Sequence, residues 1–402
     1  MEESVREKIL AISENRMEET PTSFKRRLYG EIDWDARLLC VKGPRGVGKT
    51  TMLLQRMKEA LGPEKALYVS LDNVWVDARE IYELAEYHLA RGGTHLFLDE
   101  VHKMENWQNL LKSLNDDLKR LSVVYSGSSL LKLEKRGGDL SRRQTPYFLP
   151  GLSFREYLAF EGLADLPPIS LTSLLADHVK VARSLRDKLP VLKHFEDYRL
   201  HGYYPFYNEE PRQYFPHVVQ VVNQVLEVDY PEIEEVEVAT VRKARRMLNI
   251  LAASTPQTPN MEKLYRELGT DRKQGLKMLY ALERAGLLSL LSRAGRDTLN
   301  NLVTPDKIYC DNPNLMAALV PRPDIGTLRE TLFLNQLRAA GHAVTYPARG
   351  DFLIDGRILI EVGGAGKTFR QIADAPNSYL AVDDIEIGRG NRIPLWMFGL
   401  LY

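Results

Sequence analysis

Nine consecutive residues carry the densest chemical signal in the chain: Gly43, Pro44, Arg45, Gly46, Val47, Gly48, Lys49, Thr50 and Thr51. Their order fits G-x-x-x-x-G-K-[S/T], a spacing with a mechanical reason. The glycines let the backbone curl until successive N–H groups point inward, a nest for phosphate oxygens. A helix opening at Thr50 adds the partial positive charge of its N-terminus. Lys49 is long enough to reach the β- and γ-phosphates of a nucleotide, and the Thr50 hydroxyl suits Mg²⁺. The chemistry implied is binding of ATP or ADP. A glycine-rich turn without a ligand is the plainer alternative.

A second signal lies at Thr94-His-Leu-Phe-Leu-Asp99-Glu100, an apolar run ending in two adjacent carboxylates. An acidic residue at the carboxyl end of a strand, opposite a phosphate loop, is where Mg²⁺ is held. Asp99 takes that role, through water. Glu100 then stands beside the γ-phosphate, where it can orient or deprotonate the attacking water. The next run ends Tyr125-Ser126-Gly-Ser-Ser129. Ser126 can hydrogen-bond the water or the γ-phosphate; Ser128 or Ser129 capping a helix at Leu130 is the competing use. Arg142 and Arg143 follow, and an arginine near the γ-phosphate stabilises transition-state charge. Whether either faces the nucleotide of its own chain or of a neighbour stays open. Arg155 can equally pair with Glu156 or Glu161.

These residues need a scaffold, and the pattern supplies one. Strands are expected at 38–42, 66–71, 95–99 and 122–126, with helices at 50–61, 78–91 and 105–120 between them. Alternating βα units give a parallel sheet covered by helices on both faces, with ligands at the carboxyl ends of the strands. Before the first strand, Val5, Ile9, Ile12 and Met17 mark an amphipathic helix over 2–20. The basic-aromatic segment Phe24 to Tyr29 either touches nucleotide or forms a solvated face.

Composition narrows the function classes. The 402 residues imply two to four domains. With 54 basic and 54 acidic residues, global charge gives no support to nucleic-acid binding, which would need a local patch. Cys40 and Cys310 are the two cysteines, too few for a disulfide framework or a zinc site, which suits a reducing cytoplasm. The charged first twenty residues do not read as a signal peptide, and no apolar run reaches membrane-spanning length. The tail IPLWMFGLLY reads as a buried strand or docking segment.

Taken together, GPRGVGKTT, LDN at 71–73, LFLDEVHKMENW, YSGSS and DLSRR…LPGLSFREYL resemble a family of uncharacterised prokaryotic AAA+ ATPases. Those are P-loop proteins with an added winged helix and a C-terminal domain similar to restriction-type nucleases. The resemblance implies ATP at Gly43 to Thr51, Mg²⁺ at Thr50 and Asp99, and Glu100 as catalytic glutamate. The family's sensor position falls on Ser126 and its arginine pair on Arg142 and Arg143. The organisation expected is an N-terminal helix (1–24), an α/β AAA+ core (25–164), a helical lid and linker (165–236), a winged helix (237–322) and a small α/β nuclease-like domain (323–402).

The second half is less explicit. Tyr203, Tyr204, Phe206 and Tyr207 form an aromatic cluster, core or base-stacking, and the acidic run 232–237 reads as linker. In the expected winged helix, Arg272, Lys273, Lys277 and Arg284 lie on a third helix that can enter a DNA major groove, with Arg293 and Arg296 in the wing. A protein-contacting wing is the alternative. The last eighty residues resemble the PD-(D/E)XK nuclease core, where a helix glutamate and two strand carboxylates hold a metal. By position these are Glu330, Asp351 and Glu361. The pattern wants lysine two residues after the second carboxylate; Gly363 stands there, and Lys367 is the nearby substitute. The metal site requires Asp351 and Glu361 on one sheet face, which a three-residue loop at 355–357 would allow. The reading overall is an ATPase switching its C-terminal module on duplex DNA, with an ATP-bound protein-interaction scaffold, a homo-oligomer or an ATP-gated nuclease as alternatives.

Overall fold

The computed structural model describes residues 1–72, 76–127, 140, 142–231, 236–254, 260–294 and 303–402. The chain divides into two compact units, Met1–Pro150 and Gly151–Tyr402. The segment 151–164, grouped by sequence with the core, thus belongs to the second unit.

The first unit is an α/β fold around a P-loop sheet. Strands β1 (Leu38–Lys42), β2 (Ala66–Ser70), β3 (His95–Asp99) and β4 (Ser122–Gly127) are apolar along most of their length and buried. Runs of this kind suit a sheet covered on both faces. With β5 (Thr145–Phe148) they pair all-parallel in the order β2-β3-β4-β1-β5. That order sets the ends of β1, β4 and β3 side by side: Val41 lies against Ser126, and Leu98 against Tyr125.

Among the described residues the unit also holds helices α1 (Glu3–Glu19), α2 (Arg27–Glu31), α3 (Lys49–Arg56), α4 (Ala78–Ala90) and α5 (Trp107–Asp117). α1 buries Ile9, Ser13 and Met17, and its Ser13 hydroxyl accepts from the Tyr68 N–H at 2.9 Å. The helix expected over 50–61 is α-helical only to Arg56 and widens to a π-turn over Met57–Leu61. α4 opens on a reciprocal cap between Asp77 and Glu80. β5 had no apolar signature because it is a largely exposed edge strand carrying Pro146.

The second unit opens with α6 (Phe154–Phe160), α7 (Leu171–Arg186), α8 (Val191–His201) and α9 (Tyr214–Gln224). Tyr203, Tyr204 and Tyr207 are buried here, Tyr203 and Tyr204 edge-to-face at 4.9 Å, so the aromatic cluster is core. Next come α10 (Val238–Ala253), α11 (Met261–Glu267) and α12 (Arg272–Arg284), then the antiparallel hairpin β6 (Leu288–Leu291) and β7 (Lys307–Cys310). α12 starts where the Asp271 side chain accepts from the Gln274 N–H at 2.9 Å. After α13 (Pro313–Leu319) and α14 (Ile325–Ala339), a mixed sheet runs β12-β11-β10-β9-β8. Its strands are β8 (Val344–Thr345), β9 (Phe352–Ile354), β10 (Ile358–Gly363), β11 (Ser378–Val382) and β12 (Arg392–Pro394). The tail beyond β12 is buried as a 3-10 turn, Leu395–Leu400.

Candidate functional site

The phosphate loop joins β1 to α3, and its shape follows from its glycines. Gly46 and Gly48 take φ of 77° and 93°, the left-handed region that other residues adopt at a cost. Gly43 is required for a different reason: a Cβ there would lie 2.2 Å from the Leu149 carbonyl oxygen. Lys49 is buried at the first turn of α3 and donates to the carbonyls of Gly43 (3.0 Å) and Pro44 (2.8 Å). Its ammonium is therefore held over the loop where phosphate oxygens would lie. Thr51 is exposed on α3.

Asp99 is the centre of the polar network. Its Oδ2 accepts from the Thr50 hydroxyl at 2.6 Å and from the Tyr68 hydroxyl at 2.9 Å. Its Oδ1 accepts from the Ser126 hydroxyl and, at 3.1 Å, from the Glu100 N–H. Burial, with Asp99 beside it, pushes the Tyr68 hydroxyl far above its ordinary pKa, so it remains a donor. Thr50 and Asp99 give hard oxygens from two elements, the donor set of a Mg²⁺ that keeps several waters. Among the described residues no group of three or more His, Cys, Asp or Glu could hold a metal, so this ion would lean on phosphate and water.

Glu100 follows with φ 55°, strained for a non-glycine residue. Its Oε2 lies 3.3 Å from His102 Nε2 and 3.7 Å from Arg45 Nη1. Arg26 braces the loop from outside: it donates to the Val47 carbonyl at 2.6 Å and the Pro150 carbonyl at 2.8 Å. So the Phe24–Tyr29 segment acts on the loop through a buried arginine rather than as a solvated face.

The two arginines go elsewhere. Arg143 grips Asp116 with Nε at 3.0 Å and Nη2 at 3.1 Å, and both Arg142 and Arg143 are exposed. They precede β5, whose register sets Thr145 against Leu39 and Phe148 against Lys42. At about 3.3 Å per residue, that leaves roughly 15 Å of strand between them and the phosphate loop. This corrects the own-chain alternative: an arginine side chain does not span that distance. Asn73, Ser128, Ser129, Asp139, Arg296 and residues 232–235 lie outside the described residues.

The second expected site does not assemble. The loop 355–357 is the three-residue one, since Ile354 pairs with Ile358 and Phe352 with Ile360. But Asp351 donates its N–H to the Ile360 carbonyl at 3.2 Å, the residue already opposite Phe352. Two residues facing one make a β-bulge, which re-aims Asp351. Its carboxylate joins Lys307, as Glu330 does, on the side where Phe352 packs on Phe333. Alternation along β10 puts Glu361 on the opposite face, with Leu359 and its cluster of Ile372, Leu380 and Val382. Lys367 Nζ lies 2.7 Å from Glu361 Oε1, off the axis of a hydrogen bond, so the contact is one of charge. Glu330, Asp351, Glu361 and Lys367 therefore do not form one metal site.

Sequence reasoning missed Tyr68, Arg26, His102 and Lys307. Each acts through a partner that only sheet register or loop closure brings near; Tyr68, in the middle of β2, carried no local sign.

Comparison with known proteins agrees with the first unit. The family model for an AAA domain matches residues 35–158, and that for a domain of unknown function (DUF8612) matches 192–325. An uncharacterised protein of Methanocaldococcus jannaschii is 26% identical over 387 residues, covering 87% of this chain and 80% of its own. A second from the same organism is 26% identical over 175 residues, covering 42% of this chain and 36% of its own. Among solved structures, the Walker-type ATPase of Pyrococcus abyssi aligns with 13% identity and a TM-score of 0.43, covering 76% of this chain and 99% of that one. The first unit has the α/β fold of a P-loop nucleotide-binding domain, and the AAA-domain match falls mostly within it.

Proposed function

We propose that the chain hydrolyses ATP at the loop Gly43–Thr51 and uses the cycle to switch its second unit. The observation carrying this is the convergence of Thr50, Tyr68 and Ser126 on the Asp99 carboxylate, at the mouth of a glycine-shaped loop. Mg²⁺, when bound, neutralises charge across the phosphate oxygens, and Thr50 and Asp99 are the groups that hold it. Lys49 exchanges two loop carbonyls for phosphate oxygens and stabilises charge there as the terminal phosphoryl group is transferred. Tyr68 and Ser126 fix Asp99 so that it need not reorganise. Glu100 takes the proton of the attacking water, leaving ADP and inorganic phosphate; to do so its carboxylate leaves His102 and Arg45. Arg142 and Arg143, exposed at the far end of β5, serve only a nucleotide held by a second copy.

The test pairs two variants. Lys49→Ala abolishes binding of a fluorescent ADP analogue; Glu100→Gln keeps binding and lowers phosphate release by about a hundredfold or more. Normal turnover in Glu100→Gln overturns the assignment of the base. Binding without turnover in the parent chain would instead favour the scaffold.

A second reading concerns the partner. Arg272, Lys273 and Lys277 are exposed along α12, which follows α10 and α11 and precedes a hairpin, the order of a winged helix. Such a row suits duplex DNA. ATP turnover stimulated by duplex DNA, with stimulation fading as salt rises, supports it; a rate unmoved by DNA points to a protein partner.

A further inference from the structure

The Glu330–Asp351 pair, where the restriction-type fold would hold a divalent metal, already has a cation. Lys307 Nζ lies 3.1 Å from Glu330 Oε2 and 3.3 Å from Asp351 Oδ1. It also sits 5.3 Å above the Tyr346 ring and 5.9 Å above that of Phe352, two aromatic faces that favour a cation. Each carboxylate also accepts from a second donor. Tyr309 OH donates to Glu330 Oε2 at 2.7 Å, and the Val362 N–H donates to Asp351 Oδ2 at 2.9 Å.

This lysine is not a surface group that strayed inward. Its side chain is 12% exposed, and both carboxylates are 16% exposed. It belongs to β7, and the β6–β7 hairpin is fixed to the C-terminal sheet and to α14 by independent bonds. The Tyr346 N–H donates to the Ser292 carbonyl at 2.9 Å, and Arg338 donates to the Leu290 carbonyl at 2.6 Å. Burial pulls the Lys307 ammonium down, but Glu330 and Asp351 outweigh it and leave its pKa above the ordinary value. Burial and Asp351 push the Glu330 carboxyl up, against the pull of Lys307.

We infer that Lys307 is a built-in counter-ion that takes the place of a divalent cation at the Glu330–Asp351 pair, so that the C-terminal sheet works without a metal. With its ammonium 3.1 Å and 3.3 Å from the two carboxylates, Lys307 fills the position that a dication bridging them would need. The third carboxylate that a metal would need, Glu361, faces the other side of the sheet. The inference is independent of the ATPase reading and survives its failure.

The experiment is Mn²⁺ binding to the full chain without nucleotide, followed by electron paramagnetic resonance, on an Asp99→Asn background that silences the nucleotide site. The Asp99→Asn chain is expected to show no saturable binding assignable to Glu330. Adding Lys307→Met should create a saturable Mn²⁺ site at least about tenfold tighter than any residual background binding, as two freed carboxylates gain a hard cation, and Glu330→Gln on top should abolish it. Lys307→Arg keeps the charge and should stay blank. If Lys307→Met fails to fold, Mn²⁺ should restore its thermal transition. The inference is overturned if the background chain binds one Mn²⁺ that Glu330→Gln removes, if folded Lys307→Met binds none, or if unfolded Lys307→Met is not rescued.

Discussion

At the scale of single residues, the site divides by whether a local pattern marks its parts. Lys49 and Thr50 were marked by the spacing of the glycine loop, and Asp99 and Glu100 by their place at the end of an apolar run. Tyr68 was not, because it meets Asp99 only through the β2–β3 register, which pairs Ser70 with Asp99. Tyr68→Phe removes one of the hydroxyl donors to the Asp99 carboxylate and nothing from the loop. The expected outcome is a loss of about 1 kcal/mol, or roughly fivefold, in ADP affinity with Mg²⁺ present and no change in its absence. Equal loss in both conditions would mean that Tyr68 shapes the loop rather than the metal ligand. Arg26 was read as an undecided basic residue; the Val47 and Pro150 carbonyls that it joins are separated by a whole sheet in sequence.

At the scale of elements, buried strands announced themselves and exposed ones did not. β1 and β3 fall where the apolar runs put them, while β5 had only its contact with β1 to define it. The bulge at Asp351 was invisible for the same reason: it depends on which carbonyl its N–H finds, and Gly350, with φ 76°, was its one local sign. Two glycines give a matched test. Gly43→Ala forces a Cβ against the Leu149 backbone, which cannot rotate away, and should cost about 1–3 kcal/mol in denaturant unfolding together with most nucleotide affinity. Gly30→Ala, inside α2 with nothing within 4 Å of the new Cβ, should instead gain about 0.5–1 kcal/mol. A neutral Gly43→Ala would mean that β5 and the loop are less tightly joined than the contact implies.

At the scale of the whole molecule, histidines tie stability to pH. His88 and His95 in the first unit and His178 and His201 in the second have pKa values lowered by burial. As pH falls through about 6.5 the unfolded chain takes up these protons and the folded chain does not, so stability falls with pH there. Asp311, pushed up to about 6 by burial, works the other way between its ordinary carboxyl range and that value, since the folded chain holds its proton longer. The cleaner window is therefore pH 6 to 7.5. Melting temperatures should rise across it, and His178→Gln should flatten the slope of the second unit's transition; an unchanged slope would clear His178 of the effect. The division into two units was not legible at residue 150, because Gly151 onward continues the motif-bearing stretch without a break in composition. That division has a hereditary consequence. The groups described at the phosphate loop come from residues 26 to 150, all in the first unit. Recombination near residue 150 can join the same phosphate-loop unit to a different second unit, so lineages can change one while inheriting the other unaltered.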